Sequence, residues 1–263
     1  MRESAERSVV AVVPHPDDES YSAAGSLAAA ADSGVRVCLV CATRGERGNV
    51  DADRSSELAR ARTAELAKSC QTIGLGTPLW LDLPDGAVDE HVADGISRLV
   101  PLLASLAPGV IVTLGEDGAY GHRDHIAVTG IVRESVARLR PRIRDGLRVL
   151  HSAFPRGVFD GVYDFHASVP TLRTLLAPPP TEGFGTDRAA VDLVIDVSRL
   201  RRRKLAAIAA HESQLMGRSP ERLFGDDRIE PLLAEEWFTL ASGPPLPAGC
   251  RDLAGALALS AGD

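Results

Sequence analysis

The amino-acid sequence predicts an α/β fold: a Rossmann-like, doubly wound three-layer sandwich with a mostly parallel sheet. Three observations predict it. Short apolar runs recur at Val9–Val13, Val35–Cys41, Leu79–Leu83, Val110–Leu114, Leu147–Ala153 and Val191–Val197. Amphipathic stretches near 21–33, 55–73, 88–106 and 124–140 separate the early runs. The runs do not alternate strictly with polar residues, so both faces of each strand are expected to be buried under crossover helices.

Taken in order, each early run delivers polar residues at its carboxyl end. Val9–Val13 leads into Pro14-His15-Pro16-Asp17-Asp18-Glu19. The second run leads into Thr43-Arg44-Gly45-Glu46, the third into Pro84-Asp85-Gly86, and the fourth into Glu116 through His125. In open α/β sheets ligands bind outside the carboxyl ends of the strands, so four strand ends are expected to share one site. After Val197, Arg199–Leu215 reads as a helix. The segment from Pro178 to Gly185 reads as a loop, and the tail from Gly243 has no clear place. A dinucleotide-binding reading fails because no G-x-G-x-x-G follows the first strand; Gly25 alone does not supply that turn.

The chain has 263 residues, 44% of them hydrophobic, enough for one domain spanning 1–263. Its core is expected over about 8–215, with a C-terminal extension over about 216–263. The net charge of -7, from 29 basic and 36 acidic residues, argues against a nucleic-acid partner. No apolar run is long enough for a membrane span, and Val9–Val13 is too short for a signal peptide, so a cytoplasmic protein with no membrane partner is expected. Cys38 and Cys41 lie three apart on a strand and so point to opposite faces; buried thiols are expected there rather than a redox or zinc pair.

His15 and Asp18, three apart in a turn after a strand, can converge on one cation, and His125 is the best candidate for a second imidazole. A His₂Asp set leaves a fourth position for water, the pattern of a catalytic zinc site; mixed N and O donors also admit Fe²⁺ or another divalent ion. Asp17 is placed to act as a general base beside that site. His122 and His125 share a face at a helix start. His122 is therefore expected to face a substrate carbonyl and stabilise an oxyanion or protonate a leaving amine, with Asp124 holding its ring.

The pair His15-Pro16-Asp17-Asp18-Glu19 and His122-x-Asp124-His125 resembles the LmbE-like, or PIG-L, family of zinc-dependent de-N-acetylases. Thr43-Arg44-Gly45-Glu46, Arg62-Thr63-Ala64-Glu65-Leu66, Leu83-Pro84-Asp85-Gly86 and Lys204 through Gln214 extend the resemblance across residues 8–215. The resemblance implies that His15, Asp18 and His125 hold zinc and that Asp17 is the base. It makes His122, tuned by Asp124, the electrophilic or acid partner, and Tyr120 a helper in polarising the amide carbonyl. Arg62 and Asp85 match positions that contact sugar hydroxyls. The implied substrate is a small N-acetylated amino sugar or glycoconjugate, and relatives of this kind are often trimers or hexamers. Arg123 departs from the Pro of many members, and His211 reads as a structural hydrogen-bonding residue. Three other readings compete: an amidase for a non-sugar N-acyl compound, a phosphoryl-transfer enzyme, and a silent binding module. The second lacks a Gly-rich phosphate loop, and the third sits poorly with a fully occupied site.

Overall fold

The computed structural model describes residues 7–48, 54–170, 172, 185–225 and 227–258. A seven-stranded sheet forms its centre: β1 (Ser8–Val13), β2 (Val37–Thr43), β3 (Leu79–Leu83), β4 (Pro108–Leu114), β5 (Arg148–Ser152), β6 (Leu193–Asp196) and β7 (Glu235–Ser242). The order is β3-β2-β1-β4-β5-β7-β6. Strands β1 to β5 pair in parallel, and β7 runs antiparallel to both of its neighbours. Each of the six expected apolar runs overlaps a strand. The helices that matter here are α1 (Asp18–Ser22), α2 (Ala24–Asp32), α3 (Ser55–Ile73), α4 (Val92–Leu106), the short turn α5 (Gly118–Gly121) and α6 (Arg123–Ala137).

The lack of strict alternation has the expected cause. All six β1 residues are buried. Val9, Ala11 and Val13 enter one core with Leu27 of α2 and Leu66 and Ile73 of α3. Val10 and Val12 enter the other with Leu99 of α4 and Ile131 of α6. Each such Val, Leu or Ile contributes roughly 1.5–3 kcal/mol relative to leaving it exposed. Cys41 belongs to the first core and Cys38 packs against the second, so the two thiols do point apart; all four cysteines are free. Gly25 is required by packing: a Cβ there would lie 2.6 Å from Val197 Cβ.

The sheet draws on residues from both sides of position 215. Strand β7, from the segment over about 216–263, lies between β5 and β6 and buries Trp237 and Phe238. The helix expected over Arg199–Leu215 is shorter, Arg201–Ala209, after a 3₁₀ turn at Ser198–Leu200. The tail does have a place as far as residue 258. The buried Arg148 guanidinium donates to the carbonyls of Pro244, Pro245, Ala256 and Ala258, fastening the tail to the start of β5. The expected loop at Pro178–Gly185 lies outside the described residues except for Gly185. Among the described residues, no helix is long and apolar enough to cross a membrane.

Candidate metal centre

Chain order reverses at β1, which has β2 on one side and β4 on the other, and the candidate residues sit at that switch point. The β1 and β2 ends are tied together, because Pro14 O accepts from both the backbone N–H and the hydroxyl of Thr43. The chain then turns sharply, with Asp17 at φ +125°. A non-glycine residue in that region carries strain of about 1–3 kcal/mol and persists only where its surroundings enforce it.

His15, Asp18 and His125 come together as expected. His15 Nδ1 lies 3.2 Å from His125 Nε2 and 3.3 Å from Asp18 Oδ2, and His125 Nε2 lies 3.5 Å from Asp18 Oδ1. Donors around a tetrahedral ion with metal–ligand distances of 2.0–2.1 Å are separated by about 3.3–3.4 Å, so these three groups fit a zinc-sized ion. The ring chemistry fits as well. His125 Nδ1 is 3.1 Å from Gly118 O. Donating a proton there leaves Nε2 with its lone pair directed at Asp18 and His15. Burial holds the His125 imidazole down at about 4, so the ring is neutral near pH 7.

Asp124 corrects one expectation. Its carboxylate does not hold the His122 ring. Oδ2 accepts from Gly86 N and lies 3.2 Å from His15 Nε2, while Oδ1 accepts from Val88 N. The backbone N–H of Asp124 is what reaches His122, donating to Nδ1 at 3.2 Å. With Nδ1 accepting, the proton of a neutral His122 sits on Nε2. Burial, reinforced by the charge of His15, lowers the His122 pKa and favours that neutral form. His122 stacks on His125 with ring centroids 4.5 Å apart, and ring nitrogens of His15, His122 and His125 lie within 4.8 Å of one another. Tyr120 stands edge-on to both His122 and His125 and is 46% exposed, at the mouth of the site.

Arg62 and Asp85, the positions expected to contact sugar hydroxyls, are both buried. Arg62 is buried and donates to Pro16 O, Gly45 O and Asp17 Oδ1, at 2.6, 3.1 and 3.2 Å. Gly45 makes room for it: its φ is +66°, and a Cβ there would sit 2.5 Å from the guanidinium. Asp85 accepts from Arg47 N through Oδ2 and lies 3.1 Å from His15 Nε2 through Oδ1. The His15 ring is therefore surrounded by the carboxylates of Asp18, Asp85 and Asp124. Burial alone would lower its pKa, but Asp124, Asp18 and Asp85 outweigh that and raise it well above the ordinary value. A cation at Nδ1 must displace a proton held there, so affinity for a divalent ion at this position is expected to fall as pH drops through the range where His15 takes that proton. Competitive zinc titrations at several pH values check this; affinity that is flat or rises toward acid pH contradicts the placement.

Two buried residues of the site were not anticipated as such. Glu19 and His211 meet at 2.7 Å, both about 1% exposed. His211 was expected to be structural, and its partner could not be read from a position 192 residues away.

The chain matches the family model PIG-L, GlcNAc-PI de-N-acetylase, over residues 10–136. It is 32% identical over 275 residues to the 1D-myo-inositol 2-acetamido-2-deoxy-alpha-D-glucopyranoside deacetylase of Nakamurella multipartita, covering 92% of this chain and 91% of that protein. It belongs to the PIG-L family. The enzyme of the same name from Thermobispora bispora is 31% identical over 274 residues, with the same coverage of 92% and 91%. Among solved structures, the PIG-L fold seen here is similar to N,N'-diacetylchitobiose deacetylase from Pyrococcus horikoshii. The TM-score is 0.63 at 21% identity, covering 89% of this chain and 83% of that one.

Proposed function

We propose that this PIG-L protein is a divalent-metal-dependent N-deacetylase that hydrolyses the acetamide of an N-acetylglucosamine derivative to acetate and a free amine. One observation carries the reading: three donors spaced for a tetrahedral ion stand beside a half-buried carboxylate, that of Asp17, which Arg62 braces. The names of its relatives in Nakamurella multipartita and Thermobispora bispora support an N-acetylglucosaminyl polyol as substrate.

In this reading His15, Asp18 and His125 hold the ion, and zinc is the proposed ion because the donors are mixed N and O at tetrahedral spacing. Such an ion, when bound, acts as a Lewis acid and lowers the pKa of water. Asp17 takes the proton of the attacking water. Burial pushes its carboxyl up to about 6, against the opposing charge of Arg62, which suits a base working near neutral pH. Arg62 orients that carboxylate through Oδ1. His122, with its proton on Nε2, offers a hydrogen bond to the carbonyl oxygen as it gains negative charge. Tyr120 lines the entrance beside it. Asp85 and Asp124 steady the His15 ring from its far nitrogen. The four free thiols suit a reducing compartment such as the cytoplasm.

The test is amine release, followed with fluorescamine, from 1D-myo-inositol 2-acetamido-2-deoxy-alpha-D-glucopyranoside and from other N-acetylglucosaminides that differ in aglycone. The zinc-loaded protein should release amine from at least one of them. Removal of metal by a chelator should abolish the activity, and added zinc should restore it. No release across the panel by protein carrying one zinc per chain overturns the proposal.

A further inference from the structure

Asp17 holds a backbone conformation that an aspartate does not choose, with φ +125° and ψ -29°. Something must enforce it. The side chain is braced by Arg62, as described above. The backbone is braced from a different direction, by Glu19. Glu19 Oε2 accepts from the Asp17 N–H at 3.0 Å, while Oε1 accepts from Ser69 Oγ at 2.6 Å and lies 2.7 Å from His211 Nε2. Glu19, Ser69 and His211 are all buried. Ser69 lies on α3, and His211 arrives from the chain beyond the helix Arg201–Ala209. Two distant parts of the fold therefore fix one oxygen of a carboxylate, and its other oxygen fixes the residue two positions earlier in the turn.

We propose that Glu19, held by Ser69 and His211, is a positioning residue for the reaction: it locks the Asp17 backbone so that the carboxylate points at the attacking water. The proposal rests on Asp17 being the base. Glu19 bonds to Asp17 N, Ser69 and His211 and to none of the proposed ion donors; it acts through Asp17. Its partners give it no freedom to do otherwise. Both carboxylate oxygens are engaged, and His211 Nδ1 finds no hydrogen-bond partner among the described residues, so the contact with Glu19 is the polar role left to that ring. A shift of about 1 Å in a reacting group can cost about 100-fold in rate, and release of a strained turn permits such a shift.

The experiment compares wild type, Glu19→Ala, Glu19→Gln, His211→Gln and Asp17→Asn for kcat, KM, zinc per chain and far-ultraviolet circular dichroism. Glu19→Ala should lose about 100-fold in kcat with KM within about threefold and zinc stoichiometry unchanged, because the misplaced group is the base and not a binding contact. Glu19→Gln keeps an acceptor for the Asp17 N–H and should recover to within about tenfold of wild type. His211→Gln keeps a donor toward Glu19 and should behave like Glu19→Gln; it also carries the test if Glu19→Ala does not fold. A folded, zinc-loaded Glu19→Ala with kcat within threefold of wild type overturns the proposal. So does a Glu19→Gln or His211→Gln chain reduced to the level of Asp17→Asn. An inactive wild type, or an active Asp17→Asn, would instead strike the proposed function and its choice of base.

Discussion

Asp17→Asn is expected to keep its metal and lose about 10²- to 10⁴-fold in kcat, the usual contribution of a positioned general base. The amide is nearly isosteric with the carboxylate. Its oxygen can still accept from Arg62 Nη2, which lies 3.2 Å from Oδ1, and the backbone N–H can still donate to Glu19. The proposed ion donors, His15, Asp18 and His125, are untouched. What changes is the ability to take a proton. The pH–rate profile gives an independent sign. Burial raises the Asp17 pKa to about 6, so the base is ionised above that range and protonated below it. Wild-type activity should therefore fall as pH drops through about 6, and the residual activity of Asp17→Asn should lack that acid limb. Metal analysis beside the amine-release assay checks both parts. Full zinc occupancy with turnover within tenfold of wild type would move the base to another residue.

Much of this site was legible because its chemistry is local. His15, Asp17 and Asp18 follow one strand, and His122 and His125 open one helix; strand ends at a switch point bring such segments together without further information. The contacts that decide finer roles are not local. Asp124 looks, from spacing, like a partner for the His122 ring two residues away. In the fold its carboxylate is captured by the N–H groups of Gly86 and Val88, and that turns it to His15 instead. Arg62 shares the fate of a long side chain on a helix packed beside the turn: its charge is consumed by Pro16 O, Gly45 O and Asp17, all outside its own helix. The strand β7 escaped detection because it begins Glu235-Glu236, and a charged pair argues against a buried strand. Glu236 is nevertheless 1% exposed, for a reason that lies on two other elements.

That reason makes Glu236→Ala the most damaging substitution expected away from the metal. Glu236 Oε1 accepts from Lys204 Nζ at 2.6 Å and from Gly25 N at 2.9 Å, and Oε2 accepts from Ser26 N at 2.7 Å. The carboxylate thus caps the amino end of α2 from β7, where the helix exposes unpaired N–H groups and favours negative charge. It also neutralises Lys204, whose side chain is fully buried and whose other polar contact is Tyr21 O. Truncation leaves two helix N–H groups without their acceptor and the Lys204 ammonium with Tyr21 O alone, all in the interior. Breaking a buried pair in this way costs about 3–5 kcal/mol, which for a chain of this size is a fall in melting temperature of roughly 6–20 °C. The pH dependence follows from Lys204. Burial lowers its pKa even with Glu236 opposing that shift; without Glu236 the pKa falls further. A group whose folded pKa is depressed below the unfolded value adds stability as pH rises between the two. The deficit of Glu236→Ala should therefore narrow as pH rises from neutral toward the ordinary lysine range, as the lysine sheds its proton. Lys204→Met in the Glu236→Ala background removes the stranded charge and should recover part of the loss, leaving the cost of the two uncapped N–H groups of α2. Thermal melts of the three chains at neutral and alkaline pH separate these contributions. A Glu236→Ala chain that melts within about 2 °C of wild type would mean that water or a shifted side chain meets Lys204 as well as the carboxylate does.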